Sequence, residues 1–324
     1  MDNLGGARHG NASISCVIPC RNEAPNIALL LPLLKSVLGA LTSHWEIVLV
    51  DDGSTDSTAA LIPAWTSQAG VRAVQLSRNF GKEAALTAGL RAARGDMVII
   101  MDADMQHPPE LLPQMVEKWR EGADVAYAVR ANRDDESWTK RIGTRLFYGL
   151  MTTRGRFAVP ADAGDFRLLD RAAVTALLAL PERSRFMKGL YAWIGFDAVA
   201  IPYFPQARAH GESHYNLLRL AKLSLDGLTS FTIWPLRAVS VTGFVLAILG
   251  FAYGSYITID YFLNGNSVSG WTTIVVGMAF FFGMQMVSMG ILGEYIGRIF
   301  EEVKGRPLYF VKQEWGQGLD DARL

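Results

Sequence analysis

The chain has 324 residues, length for roughly two structural units at about 150 residues each. Its 31 Lys+Arg balance 31 Asp+Glu, giving a formal net charge of zero, which excludes a polybasic nucleic-acid binder. Hydrophobic residues make up 50% and charged residues only 19%; this excludes a disordered or collagen-like chain and predicts that part of the sequence meets lipid.

Residues 1–12 form a short polar tail without an apolar stretch, so no cleavable signal is expected. From residue 13 to 205 short apolar, β-rich runs alternate with helical patterns. Strands are predicted at Ile14–Ile18, Glu46–Val50, Val71–Leu76, Met97–Met101 and Val125–Val129, and helices at Asn26–Leu41, Ser57–Ala69, Lys82–Ala93 and Pro109–Glu121. Strands separated by helices build βαβ units, hence an α/β domain with a mainly parallel, Rossmann-like sheet. Cys16 and Cys20 are the only cysteines. They are too few for a disulfide framework and are expected to pack in a strand as reduced, small hydrophobes.

Segment 206–236 follows as a juxtamembrane region. Within it Arg219, Lys222 and Asp226 share one face of a predicted amphipathic helix, 216–228, placed to lie on a membrane surface. Two uncharged 22-residue runs follow, Ala238 to Ile259 and Trp271 to Leu292. Each is long enough to cross about 30 Å of hydrocarbon, so region 237–292 reads as a two-helix hairpin. Its connector carries no Lys or Arg, whereas Arg219, Lys222 and Arg237 precede it and Arg298, Lys304 and Arg306 follow. The positive-inside rule then puts both termini, including a tail at 293–324, in the cytoplasm of a multi-pass inner-membrane protein.

In open α/β sheets ligands bind beyond the carboxyl ends of the strands. The second predicted strand runs into Asp51-Asp52-Gly53-Ser54-Thr55-Asp56 and the fourth into Asp102-Ala103-Asp104-Met105-Gln106. Carboxylates two residues apart on an extended segment point to one side, so Asp102 and Asp104 converge on one hard cation, Mg²⁺ or Mn²⁺. Such an ion takes its remaining ligands from substrate phosphates, which makes a nucleoside-diphosphate ligand its natural companion. Asp51 reads as a strand-end cap. Lys82 is either a solvated first-turn residue or a contact near a phosphate. The five histidines show no zinc-ligand spacing.

These runs, with Val17-Ile18-Pro19, Asn22-Glu23, Arg78-Asn79-Phe80-Gly81-Lys82 and Pro108-Pro109-Glu110, resemble the inverting family-two glycosyltransferases. More narrowly they resemble the polyprenyl-phosphate glycosyltransferases, the group that contains dolichyl-phosphate mannose synthase and the bactoprenol glucosyltransferases. The likeness continues through Ala163-Gly164-Asp165-Phe166-Arg167-Leu168, the 181–189 run from Pro181 to Gly189, Gly211-Glu212-Ser213, Pro235-Leu236-Arg237 and the 293–298 run, nearly the whole chain.

The resemblance implies a GT-A fold that binds a nucleotide sugar. Carried over by position, Pro19, Glu23 and Asp52 contact the nucleobase and ribose, and Asp102 the ribose or diphosphate. Asp104 with Gln106 holds the metal, Arg130 steadies the phosphates, and Asp165 stands on the acceptor side as a catalytic residue. Arg183 and Arg185 are either a charged loop or a lid over the acceptor phosphate, which Arg208 and Ser213 also approach. The family commonly has Lys where this chain has His214, an imidazole mostly neutral at pH 7.

The implied reaction moves glucose from UDP-glucose to undecaprenyl phosphate at the cytoplasmic face of a bilayer, in a homo-oligomer that is a tetramer by resemblance. Alternatives are another donor, such as UDP-N-acetylglucosamine, UDP-galactose or GDP-mannose, and a non-catalytic membrane scaffold or flippase component.

Overall fold

The computed structural model describes residues 12–130, 163–183, 185–203, 234–264 and 270–319. The N-terminal tail to residue 11, the stretch 216–228, and Arg208, Ser213 and His214 lie outside the described residues. The chain divides into two units, Met1–Lys222 with Arg306–Leu324, and Leu223–Gly305.

The first unit opens with β1 (Ile14–Cys20), α1 (Ala24–Leu41), β2 (Trp45–Asp51), α2 (Thr58–Thr66), β3 (Val71–Leu76), α3 (Lys82–Ala92) and β4 (Met97–Ile100). A single 3₁₀ turn, Pro109–Leu111, leads into α4 (Leu112–Arg120), followed by β5 (Val125–Arg130), β6 (Ala163–Asp170), α5 (Arg171–Ala179), α6 (Met187–Trp193) and β7 (Ala198–Tyr203). Strand β8 (Val311–Gly316) returns after the second unit. The five strands expected from sequence all form, with ends within two residues of their predicted limits.

The eight strands make one sheet in the order β7-β5-β6-β4-β1-β2-β3-β8. β1 pairs in parallel with β2 and β4, β2 with β3, and β5 with β7. β6 runs antiparallel to both β4 and β5, and β8 antiparallel to β3. The sheet is therefore mixed, with a parallel majority. The apolar runs account for its burial: Ile14, Val17, Ile18, Ile47 to Val50 and Val98 to Ile100 are no more than 1% exposed, as expected of strands covered on both faces. α1 lays Ile27, Leu30, Leu34 and Leu38 into this core. Cys16 and Cys20 are free and buried, and burial pushes the Cys16 thiol up to about 12, so both pack as apolar residues.

Strand direction decides where the chemistry collects. The carboxyl ends of β1, β2, β4 and β5 emerge along one edge, and because β6 is reversed its amino-terminal residues reach the same edge. Ile100 pairs with Arg167, so continuing the antiparallel register brings Asp102 opposite Asp165.

Of the segment 293–324, expected as a cytosolic tail, the described residues 293–319 belong in large part to longer elements. Its start continues a helix to Lys304, and β8 supplies an edge strand of the sheet. β8 was not legible as a strand because Val311-Lys312-Gln313-Glu314-Trp315-Gly316 is largely polar. It is held by distant partners instead. The buried Glu46 carboxylate accepts hydrogen bonds from Ser15 Oγ (2.6 Å), Arg94 N (2.8 Å) and Leu319 N (3.2 Å). Arg94 Nη1 donates to the Leu319 carbonyl at 2.7 Å. At the other end Ser77 N donates to the Phe310 carbonyl at 2.8 Å, and Phe80 and Phe310 pack ring to ring.

The second unit contains α7 (Trp234–Asn264) and α8 (Trp271–Lys304), which touch each other. Both overrun the expected limits of 238–259 and 271–292. Leu236–Asp260 and Ile274–Lys304 are long and apolar enough to cross a membrane, and their most apolar windows are 0% buried within the chain. Helices apolar all round and uncovered by protein need lipid or another chain around them. Ala24–Leu41 also meets the length and hydropathy requirement, but this helix is α1, and its Leu30–Leu38 side is already buried in the sheet unit.

Candidate active site

The β1 and β2 ends are tied together by Asn22, whose positive φ of 58° turns the chain out of the strand. Its Oδ1 accepts from Thr55 N at 2.8 Å and Asp56 N at 3.3 Å, and its own amide donates to Ser54 Oγ at 2.9 Å. Sequence reasoning noted Asn22 only as part of a motif; its spacing from 54–56 exists only in three dimensions. Glu23 follows, donating its amide to Thr58 Oγ1 at 3.0 Å and accepting from Asn26 Nδ2 at 2.6 Å. Pro19 lies in β1 beside Val50.

Asp51 is fully buried and accepts from Ser54 N (3.0 Å) and Gln75 Nε2 (2.9 Å), which fits the strand-end cap expected for it. Asp52 turns both carboxylate oxygens toward the loop after β3, accepting from Phe80 N at 2.7 Å and Gly81 N at 3.0 Å. Burial raises its pKa above the ordinary value, partly offset by these two amides. Asp52, expected from the sequence as a nucleoside contact, anchors the loop that delivers Lys82. Between these aspartates and that loop sits Gly53 at φ 64°, where a Cβ would lie 2.5 Å from the Arg78 carbonyl carbon, so only glycine fits.

Lys82 is the first residue of α3. Its Nζ lies 2.6 Å from Asp102 Oδ1 and 2.8 Å from Asp165 Oδ2, bridging the pair that the β4–β6 register brings together. Burial works against the ammonium charge, but the two carboxylates outweigh it and raise the Lys82 pKa overall. Asp165 is likewise opposed by burial and, through Lys82 first, then Lys188 and Arg167, is held down at about 2. At neutral pH it is a carboxylate.

The turn after β4 is folded by its own side chains. Asp104 Oδ1 accepts from Gln106 N at 3.1 Å, and Met105 adopts φ 63°. His107 Nδ1 accepts from Asp102 N at 3.2 Å while its ring stacks on Phe166 at 4.8 Å. Burial lowers the His107 pKa, in keeping with a neutral ring accepting at Nδ1. Arg130, at the end of β5, reaches Gln106 Oε1 from Nη2 at 3.5 Å, so Asp104, Gln106 and Arg130 are brought to one place.

Among the described residues no group of three or more His, Cys, Asp or Glu could hold a metal ion by itself. The donors present are two carboxylates, Asp102 and Asp104, with Asp102 shared by Lys82. That set fits a hard cation taking its other ligands from substrate phosphates and water, and fits no cation caged by protein alone.

The arginines after α5, read from the sequence as either a charged loop or a lid over the acceptor phosphate, bond to the chain itself. Arg185 donates from Nη2 to the carbonyls of Leu177 (3.1 Å) and Leu180 (2.8 Å), from Nε to that of Glu182 (3.2 Å), and from Nη1 to Thr87 Oγ1 (3.3 Å). It thereby closes the carboxyl end of α5 onto α3 rather than facing a ligand. Arg183 donates to the Arg306 carbonyl, joining this loop to the start of the returning segment. Two residues not singled out from sequence, Glu83 and Lys188, stand near Asp165 instead. Burial first, then Asp165, pushes Glu83 up to about 8, against a hydrogen bond from the Met187 amide.

A mixed α/β sheet that gathers acidic turns and a bridging lysine at its carboxyl edge has its candidate site where open α/β sheets bind ligands. The family model for glycosyl transferase family 2 matches residues 15–178. The chain is 42% identical over 304 residues to an uncharacterised glycosyltransferase of Synechocystis, covering 94% of this chain and 96% of that one. It is 39% identical over 301 residues to a prophage-derived bactoprenol glucosyl transferase of Shigella flexneri (93% and 97% covered). Against a prophage bactoprenol glucosyl transferase homologue of Escherichia coli it is 38% identical over 301 residues (93% and 98%). The chain belongs to glycosyl transferase family 2 and is a glycosyltransferase with a GT-A-like domain.

Proposed function

We propose that this protein transfers glucose from UDP-glucose to undecaprenyl phosphate at the cytoplasmic face of the inner membrane, with inversion at the anomeric carbon. The observation that carries the reading is the 39% identity, over 93% of the chain, to a relative named bactoprenol glucosyl transferase. The membrane assignment rests on the two uncovered apolar helices, α7 and α8. A multi-pass topology with both termini cytoplasmic agrees with the positive charges that flank them. Homo-oligomer formation rests on the resemblance alone.

In this reading the nucleoside lies over Pro19 and Glu23, Asp52 acts from beneath by fixing the 78–82 loop, and the diphosphate lies along Asp102, Asp104, Gln106 and Arg130. Mg²⁺ or Mn²⁺ held by Asp104, when bound, supplies Lewis-acid stabilisation of the departing nucleoside diphosphate. A phosphate monoester acceptor is already anionic near neutral pH, so attack needs positioning more than deprotonation. Asp165 suits that division: a carboxylate held at about 2 is a weak base, and its task is to orient the sugar or acceptor and to hold Lys82 in place. Lys82 keeps positive charge beside the reacting phosphates while neutralising Asp102 and Asp165.

The test is transfer in detergent with undecaprenyl phosphate, Mg²⁺ or Mn²⁺, and a panel of radiolabelled nucleotide sugars, counting label in the organic phase. Label from UDP-glucose, lost on chelation, supports the reading. Label from another sugar keeps the mechanism and changes the donor, and none from any donor overturns it.

A further inference from the structure

The arginines offered by the sequence as a lid over the acceptor phosphate are engaged with the chain itself: Arg185 donates from Nε and Nη2 to three backbone carbonyls and from Nη1 to Thr87 Oγ1, and Arg183 donates from Nη1 to the Arg306 carbonyl. Another cation stands closer to Asp165. Lys188 is half-buried in the first turn of α6, and among the described residues its ammonium has no hydrogen-bond or ion-pair partner.

Its direction follows from helix and strand periodicity. Lys188 and Tyr191 are three residues apart, so they share a face of α6. The Tyr191 ring lies 3.6 Å from the Arg167 guanidinium carbon. Arg167 and Asp165 are two residues apart in β6 and so lie on one side of the sheet. The face of α6 that carries Lys188 is therefore the one turned to Asp165. Glu83, next to Lys82 on α3, accepts from the Met187 amide and pins the start of α6 beside the Lys82–Asp165 pair.

The polar atoms around this place are incompletely matched. Glu83 Oε2, Arg167 Nε and Tyr191 OH are buried without a hydrogen-bond partner, and Arg167 and Tyr191 are only 3% and 6% exposed. Orphaned buried polar atoms of this kind call for a bound polar group or ordered water. Charge gives the sign of that group. Lys82, Arg167 and Lys188 are positive, Asp102 and Asp165 are negative, and Glu83, pushed up to about 8, is mostly neutral at pH 7. An excess of one positive charge remains beside Asp165, and burial disfavours it, lowering the Lys188 pKa, with Asp165 partly offsetting the effect.

We propose that Lys188 binds a phosphate group on the Asp165 side of the site, and that this group is the phosphate monoester of the acceptor. The inference rests on transfer to a polyprenyl phosphate. The donor diphosphate is the other source of the same chemistry; in the proposed function it is assigned to Asp104, Gln106 and Arg130, which are linked to one another through Gln106. Glu83 is a positioning residue: it sets α6, and through α6 the lysine.

The experiment compares Lys188→Met and Lys188→Arg with the wild-type full-length protein in detergent, all first checked for an unchanged thermal midpoint. Two quantities are read: KM for undecaprenyl phosphate at saturating UDP-glucose, and calorimetric affinity for a short-chain prenyl phosphate without donor. Lys188→Met is expected to raise the acceptor KM at least tenfold and abolish prenyl-phosphate binding, with UDP-glucose affinity unchanged, and Lys188→Arg to recover most of both. An unchanged acceptor KM, or a loss confined to UDP-glucose affinity, overturns the proposal while leaving the transfer reaction standing. Wild-type protein that binds prenyl phosphate through Lys188 yet transfers no sugar overturns the reaction and leaves the phosphate site standing.

Discussion

Lys82 and Asp165 meet at 2.8 Å, one from the first residue of α3 and the other from the strand inserted antiparallel between β4 and β5. Removing the lysine would leave Asp102 and Asp165 facing each other unneutralised. Lys82→Met is expected to lower kcat/KM by about 100-fold or more, because it removes the cation beside the reacting phosphates. Lys82→Arg should recover part of this. Steady-state kinetics against both substrates check it, and wild-type kcat/KM in Lys82→Met would remove the bridge from the mechanism.

The two carboxyls beside that bridge respond to pH in opposite senses. Asp165 is depressed to about 2, below its unfolded value near 4, so its stabilisation is present at pH above about 4 and fades as pH falls toward 2. Glu83 is raised to about 8, so the folded state holds its proton more tightly than the unfolded chain, and stability falls as pH rises from about 4.5 to 8. Thermal midpoints in detergent from pH 5 to 9 should show a decline in the wild type that is absent from Glu83→Gln. Parallel curves for the two proteins would contradict the burial of an ionisable Glu83.

Gly53→Ala places a Cβ against the backbone of Arg78 and Asn79 at a positive φ. A cost of about 1–3 kcal/mol is expected for forcing this conformation, together with displacement of the loop that Asp52 anchors. The variant should therefore lose affinity for UDP-glucose as well as stability. Calorimetric titration of the donor separates this from a purely global loss, in which affinity of the remaining folded protein is unchanged.

The returning segment is latched by Glu46. Glu46→Ala orphans the Leu319 amide and removes one of the acceptors of Arg94 N and one of the carboxylates beside Arg72, which keep Ser15 Oγ and Glu314. At about 1–3 kcal/mol per buried donor left unmatched, a fall of about 4–8 °C in Tm is expected. Proteolysis should then cut first within 306–319. A Tm within 1 °C or so of the wild type would show that the latch adds nothing.

The sheet's middle was legible because β1 to β5 are apolar runs bounded by helical patterns, and the acidic turns after β2 and β4 fall where strand ends must. β6 and β8 were not. In β6 the polar Asp165 and Arg167 alternate with Phe166 and Leu168 in a run that read as a motif, and β8 is polar because it is an exposed edge held by pairing to β3 and by Glu46. The same limit governs the site. Asp104, Gln106 and Arg130 meet because the turn after β4 and the end of β5 lie at one edge of the sheet. Arg185 and Asp52 carry the right charge but aim it at backbone groups, and Glu83 and Lys188 belong to helices whose facing depends on packing. Side-chain type is local information, whereas the direction a charge points depends on its distant partners.

The most direct test is to compare wild type, Asp104→Asn and Asp165→Asn in the same membranes, supplied with labelled UDP-glucose and undecaprenyl phosphate. Wild type should place label in the organic phase. Asp104→Asn should lose it by about 100-fold or more, and Asp165→Asn should lose it with the donor still bound. Equal labelling by wild type and Asp104→Asn would contradict the placement of sugar transfer at this edge of the sheet.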